Sequence, residues 1–367
     1  MSDKYRVAII GSTGRGNYGH GLDTVWADVP ATEVIAVADD NESGRLAAQK
    51  RTGARTVYAD YREMLEKERP QIVAIAPRWI DQHHDMAIAC AEHGCHVYME
   101  KPFCRTLEEA DHIVETFERK HLKLAIAHQT RYSPMVPVVK RIIEEGKLGT
   151  ILEIRARGKE DRRGGGEDLW VLGTHMMDLM RNFAGEATSC FATLTEKGRP
   201  VTRDDVKPGN EGLGPLAGDS VRAMYTFPNG ITGYFASTRN QGGNPSRFGL
   251  QIFGSKGVIE ILSGYLPTVR FLPDSSWSPG RSGANWLNVS SNGIEKPESL
   301  RDTGLHGGNV LAVKDLIAAI EEDRQPLGSV YQARGATEMI LAVFESHRVG
   351  GPVSLPLTNR KHPLERL

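Results

Sequence analysis

The chain has 367 residues, 40% of them hydrophobic and 25% charged, and a formal net charge of −1. That length exceeds what one core ordinarily supports and implies two domains. The near-neutral charge, without basic runs, argues against nucleic acid or anionic membrane as partners, and no apolar run is long enough to span a bilayer.

The chain opens MSDKYRVAIIGS, without the cationic and then apolar pattern of a secretory leader. Short apolar, β-branched runs follow: YRVAII (5–10), EVIAVA (33–38), IVAIA (72–76), HVYM (96–99) and LKLAIA (122–127). The segments between them have helical character. DQHHDMAIACAEHG opens on Asp81 as an N-cap and closes on Gly94; TLEEADHIVETFERK opens on Thr106 with Glu109 three residues later, a capping-box pattern. Strands apolar on both faces, alternating with helices, predict a parallel sheet covered on both sides. This is the doubly wound α/β class, whose ligands sit at the carboxyl ends of the strands.

At the first such end stands IIGSTGRGNYG. Gly11 and Gly16 fill the outer positions of the dinucleotide fingerprint, Thr13 holds the middle one, and Gly14 and Arg15 complete the turn. A helix-like segment is expected after it, and the Thr13 hydroxyl is expected to donate to a pyrophosphate. The next strand ends in Asp39-Asp40, acids that bond ribose hydroxyls and repel a 2′-phosphate, so NAD is expected over NADP. Four cysteines (Cys90, Cys95, Cys104, Cys190) have neither metal-ligand nor disulfide-framework spacing. Reduced thiols, no metal and a cytoplasmic location are the expectation. Farther along, SVRAMYTFPNGITGYFAST reads as a hairpin around Asn229-Gly230, and GLQIFGSKGVIEIL repeats the design between Gly254 and Gly257.

The stretch VYMEKPFCRTLEEA is a strand, then Glu100-Lys101-Pro102, then a capped helix. It closely resembles the Glu-Lys-Pro signature of the glucose–fructose oxidoreductase / inositol dehydrogenase (Gfo/Idh/MocA) family. AHQTRYSPMVPVVKRIIEEGKLG (127–149), GTHMMD (173–178) with its Gly-x-His-x-x-Asp spacing, and the late AVFESHRVGGPVSLPL extend the resemblance along almost the whole chain. It implies an NAD-binding Rossmann domain over 1–128. A substrate-binding α/β domain over 129–367 follows, with a large, mostly antiparallel sheet that serves as a subunit interface, hence a homo-oligomer (dimer or tetramer).

The resemblance further implies an NAD-dependent dehydrogenase acting on a secondary hydroxyl of a sugar, polyol or sugar derivative, with Lys101 and His175 converging on that hydroxyl. A desolvated lysine beside a cationic nicotinamide loses its proton more readily, which suits a general base. Asp178, on the same helical face as His175, is expected to orient the imidazole, and the run Gly164–Gly166 to give the substrate room. The family's aspartate four residues before the histidine is replaced by Val171; Asp168 is the expected substitute, provided the helix begins near Trp170. Pro77, His83 and Glu100 are expected to border the cofactor, Glu100 also anchoring its turn. Trp170 by stacking, Arg163 together with Lys159 and Arg162, and His306 are expected to contact the substrate. Two other functions fit the same sequence: a redox-neutral hydrolase, lyase or epimerase using transient oxidation, and a non-catalytic dinucleotide-binding regulator.

Overall fold

The apolar runs of the first third become parallel strands. In the computed structural model, which describes residues 4–367, these are β1 (Tyr5–Ile10), β2 (Thr32–Ala38), β3 (Thr56–Tyr58), β4 (Ile72–Ile75), β5 (His96–Met99) and β6 (Leu124–Ile126). The first three residues of the stretch read for a leader lie outside the described residues. The strand order is β3-β2-β1-β4-β5-β6, with every pair parallel. Val7 to Ile10 and Ile72 to Ile75 are at most 1% exposed, as strands covered on both faces must be. Helices α1 (Glu42–Thr52), α2 (Tyr61–Glu68), α3 (His83–Glu92) and α4 (Leu107–Arg119) connect them. Thr106 caps α4 as expected, its side chain accepting from the Glu109 amide at 3.1 Å.

Two expectations are corrected here. No α-helix follows the glycine turn: residues 11–24 form successive turns, ending in a short 3-10 helix, Val25–Asp28. Gly14, Gly16, Asn17, Gly19 and Gly21 all have positive φ, and backbone that keeps reverting to the left-handed region cannot propagate a right-handed helix. Nor does Asp81 cap α3. It lies in a 3-10 turn, Ile80–Gln82, and its carboxylate is taken by Arg15.

The chain divides into two compact units. The first comprises residues up to 129 with 210–214 and 305–337; the second comprises 130–209, 215–304 and 338–367. The continuous assignment of 129–367 to a second domain therefore omitted a return. The helix Leu305–Glu321 belongs with the parallel sheet, and buried Asn309 accepts from the Tyr98 hydroxyl at 2.8 Å.

In the second unit, α5 (Met135–Glu144) precedes β7 (Ile151–Arg157). Helices α6 (Gly166–Val171) and α7 (Gly173–Ala184) follow, and then β8 (Ser189–Glu196). An 11-stranded sheet is built around β7, antiparallel except where β7 runs parallel to Thr232–Thr238. Both expected hairpins are present, Ser220–Thr226 with Thr232–Thr238 and Gly249–Gly254 with Gly257–Leu262. The first turns at Asn229 and Gly230, both at positive φ. One face of this sheet is buried by side chains such as Ile154, Tyr225 and Phe235. The other presents Phe191, Met224 and Tyr234, each 37–42% exposed, and Met224 pairs directly with both Phe191 and Tyr234. Beside this apolar row lies a groove of about 670 Å³ lined by Arg155, Arg157, Arg247, Glu260 and Arg270.

Two histidines make the fold sensitive to acid. Burial pushes the pKa of His96 down to about 4, with the Lys123 charge adding to it, and that of His362 to about 4, with Arg366 adding to it. Each Nδ1 accepts a backbone N–H, from Lys123 at 3.0 Å and Leu364 at 3.2 Å, which requires a neutral ring. Both pKa values lie below the unfolded value, so the unfolded chain binds more protons. The stabilisation is complete above about pH 6.5 and is lost as pH falls toward 4. For His362, 1% exposed, it amounts to about 3 kcal/mol. Thermal unfolding of wild type and His362→Phe between pH 7.5 and 5 checks this: wild type is expected to lose stability more steeply, and parallel curves rule it out.

Candidate active site

At the carboxyl ends of β1 and β2 lies a cleft of about 240 Å³, lined by Gly11, Ser12, Asp39, Asp40, Tyr61 and Arg62. The turn above it is tightly built. Gly16 has a φ of 90°, and a Cβ there would lie 2.4 Å from the Arg78 amide nitrogen, so the turn seats on the loop after β4 only with glycine at this position. Gly14 faces open space, leaving bare backbone for a ligand. Asp39, 2% exposed, is committed inward: its carboxylate accepts from the Thr13 amide at 3.1 Å, the Thr13 hydroxyl at 2.7 Å and the Asn41 amide at 3.0 Å. The Thr13 hydroxyl, expected on a pyrophosphate, is thus bonded to Asp39 and stiffens the turn. Asp40 remains exposed at the cleft, where its charge disfavours a 2′-phosphate. Arg15 reaches Asp81 and stacks over Trp79 with 4.9 Å from guanidinium to ring. A nucleoside diphosphate moiety fits this set: bare glycine backbone, one guanidinium beside the turn and one exposed acid at the cleft.

Glu100-Lys101-Pro102 leaves β5 directly. Glu100 is fully buried and Lys101 is 7% exposed. His83, expected to border the cofactor, is fully buried as a brace. Its Nε2 lies 2.7 Å from the Pro77 carbonyl and its Nδ1 2.8 Å from the Pro102 carbonyl, joining the loop after β4 to the loop after β5. Burial pushes its pKa down, opposed by those two carbonyls, each of which calls for a ring N–H. Pro77 enters through that carbonyl. His306, expected at a substrate, pairs with Asp28 at 2.6 Å.

In the second unit, His175 stands in the first turn of α7, 8% exposed, its ring edge-on to Phe248 with centroids 6.5 Å apart. Asp178 is held by Arg131, whose Nε donates to both carboxylate oxygens at 2.9 and 2.8 Å and whose Nη2 donates to the Asp178 carbonyl at 3.1 Å. Arg131 was not among the expected residues. The sequence signal was an arginine in the QTRYSP stretch, with nothing local to say what it meets.

The region before α7 departs most from expectation. Helix α6 begins at Gly166 rather than near Trp170, and Leu172, with a φ of −125°, separates it from α7. Val171 and His175 therefore do not share one helical face. Asp168 is fully buried; its Oδ2 accepts from the Glu160 amide at 3.0 Å and from the Ser237 hydroxyl. Burial raises its pKa, opposed by those two donors. It anchors the 158–166 loop to the strand Thr232–Thr238. The glycine run serves the same packing: Cβ atoms on Gly164, Gly165 and Gly166 would meet backbone at 2.3 Å in residues 217–218 and 239. Close backbone approach, rather than room for a ligand, is what these glycines secure. Trp170, expected to stack on a sugar, is fully buried against His362 with centroids 6.3 Å apart; a ring without exposed surface offers no face to a soluble ligand. Arg163 donates to Asp161 at 2.7 Å, and Lys159 lies 3.8 Å from the same carboxylate.

Comparison with known proteins bears on both units. Residues 5–128 match the family model "Oxidoreductase family, NAD-binding Rossmann fold", and residues 137–260 match the "GFO/IDH/MocA C-terminal domain". Levoglucosan dehydrogenase of Pseudarthrobacter phenanthrenivorans is 29% identical over 256 residues, covering 63% of this chain and 65% of that protein. D-apiose dehydrogenase of Paraburkholderia graminis is 26% identical over 213 residues, covering 55% of this chain and 56% of the relative. The chain thus matches less than two thirds of either relative's length. The solved structure of levoglucosan dehydrogenase in complex with NADH and levoglucosan superposes with a TM-score of 0.77 at 23% identity, covering 97% of this chain and all of that one, a likeness of fold. No helix among the described residues is long and apolar enough to cross a membrane.

Proposed function

The chain belongs to the Gfo/Idh/MocA oxidoreductase family, and from that premise we propose that it is an NAD-dependent dehydrogenase oxidising a secondary hydroxyl of a sugar, polyol or sugar derivative. The observation that carries the reading is Lys101, held nearly buried at the end of β5 in the family's Glu-Lys-Pro position, in a chain whose relatives are named as sugar dehydrogenases. When bound, the nicotinamide supplies the acceptor for the hydride. The chain's own residues do the rest. The turn from Gly11 to Gly16 and Asp40 hold the dinucleotide, Lys101 takes the hydroxyl proton, and His175, kept in place through Asp178 and Arg131, assists that transfer. Asp168 takes a supporting part, fixing the loop ahead of α7 through Ser237 and Glu160.

The test is a panel of aldoses, polyols and glycosides with NAD, followed by the absorbance of reduced nicotinamide. At least one is expected to give steady NADH formation. Protein that retains tightly bound cofactor, consumes a glycoside and never accumulates NADH would instead be a redox-neutral lyase, hydrolase or epimerase.

A second copy of the chain is the partner we assign to the open face of the large sheet. The row Phe191, Met224 and Tyr234 is apolar and flanked by arginines and Glu260, the composition of an interface core with a charged rim. Met224→Asp places a charge in the middle of that row. Sedimentation is expected to show an oligomer for wild type and a smaller species for the variant, with folding unchanged; a monomeric wild type overturns the assignment.

A further inference from the structure

A short stretch from the later part of the chain, Asn210–Gly214, belongs to the first unit: the chain leaves the second unit after Gly209 and rejoins it at Pro215. The stretch is the tip of a hairpin whose base pairs Lys207 with Leu216 and Pro208 with Pro215. The tip is tightly wound, with Glu211, Gly212 and Gly214 at φ values of 54°, 71° and 79°. Left-handed backbone is uncommon for a glutamate and persists only where surrounding contacts hold it.

Those contacts are with the loop after β4. A Cβ on Gly212 would lie 2.9 Å from Asp81 Oδ1, so the backbone of the tip rests against that carboxylate, and Glu211 pairs with Arg78 at 3.6 Å. The glycine turn of the cofactor cleft meets the same two residues: Gly16 fits against the Arg78 amide, and Arg15 binds Asp81. The Arg78–Glu211 pair is loose, its side chains 40% and 25% exposed, and an exposed pair of that length holds little. Docking therefore rests on the close fit of Gly212 and the complete burial of Leu213. It is opposed by two polar atoms, Arg78 Nε and Asp81 Oδ1, which are buried without a hydrogen-bond partner. A segment held by one apolar side chain against that cost lies at the low-stability end of a fold, where elements that move with a ligand are found.

We propose that Asn210–Gly214 is a clasp for the pyrophosphate of the dinucleotide. Gly212 and Leu213 are its positioning residues: docked, they hold Arg78 and Asp81, and through Asp81 they hold Arg15, against the glycine turn; undocked, they let the cofactor in and out. Charge sets the occupant. Two guanidiniums, Arg15 and Arg78, stand beside bare glycine backbone, and an anionic oxygen supplies the acceptor that Arg78 Nε lacks. The clasp goes beyond the dehydrogenase reading and serves any reaction run with a bound dinucleotide.

Two variants that change no charge test it. Gly212→Val sets a branched side chain against Asp81 at a left-handed φ, and Leu213→Ala removes the apolar anchor. NADH release, followed by stopped-flow fluorescence, is expected to be about tenfold faster in both, because changes in affinity fall mostly on dissociation. Calorimetric Kd values for NADH and ADP-ribose are expected to rise by a similar factor, while adenosine, which has no phosphate, binds as it does to wild type. Release and affinity unchanged in both variants, with the fold intact by circular dichroism, overturn the proposal. So does an equal loss for adenosine, since the variants would then damage the whole cleft. In wild type, amide hydrogen exchange across residues 209–215 is expected to slow when NADH is added; exchange that stays the same overturns the clasp even where a variant does not fold.

Discussion

Replacing Lys101 with methionine is expected to lower turnover by about 10³-fold while leaving NADH affinity nearly unchanged, because methionine keeps the volume of the side chain and removes only the amine. The dinucleotide would be held at the turn from Gly11 to Gly16 and by Asp40, groups that the substitution does not touch. Stopped-flow measurement of NADH formation and calorimetric titration with NADH separate the two effects. In the proposed function Lys101 and His175 serve one proton, so combined with His175→Gln the loss is expected to be little greater than for K101M alone. A K101M protein that turns over as wild type, or that keeps a dinucleotide-dependent regulatory effect, removes the enzyme reading.

Arg131→Met is expected to cost about 3–5 kcal/mol of stability, the consequence of leaving the Asp178 carboxylate buried without its cation. The side chains of Arg131 and Asp178 are 7% and 1% exposed, so solvent does little to replace the lost partner. For a unit of this size that is a fall in Tm of roughly 6–20 °C. Arg131→Lys is expected to fall between, because an ammonium cannot reproduce the forked contact with the two carboxylate oxygens and the backbone carbonyl. Calorimetry of the three proteins at pH 7.5 decides it; equal Tm values would show that Asp178 is compensated elsewhere. The same variants report on function, since Asp178 lies one turn after His175 on α7, and loss of the clamp is expected to lower kcat more than it raises KM.

The first unit's framework was legible because its signals are local. Five runs of β-branched and apolar residues became β1, β2, β4, β5 and β6 within about two residues at their ends, and Thr106 capped α4 from a pattern four residues long. Strand β3 was not seen, since three residues carry no periodicity, and only pairing with β2 makes Thr56–Tyr58 a strand. The first crossover misled for a different reason. The helix was expected from the usual context of the dinucleotide fingerprint, against five glycines within residues 11–21, and the positive φ values that exclude it belong to the packed turn over Ala76, Arg78 and Glu100.

At the candidate site, the motifs were readable in the sequence and residue partnership was not. Glu-Lys-Pro and Gly-x-His-x-x-Asp stand in the sequence as they stand in the family, and the Rossmann class, the mostly antiparallel sheet and NAD follow from short stretches whose periodicity and turn chemistry are set by neighbours a few residues away. Which acid meets which donor is set by tertiary packing: Asp168 to Ser237, Asp178 to Arg131, Glu100 to His20 and Asp28 to His306 are separated by 47 to 278 residues. Burial assigned Trp170 and His83 to the core, and close backbone contact gave the three glycines before α6 their purpose. Hydrophobic periodicity is a one-dimensional signal and survives in the sequence. A buried charge finds its partner only when the chain is folded, because the cost of leaving it alone is paid in three dimensions.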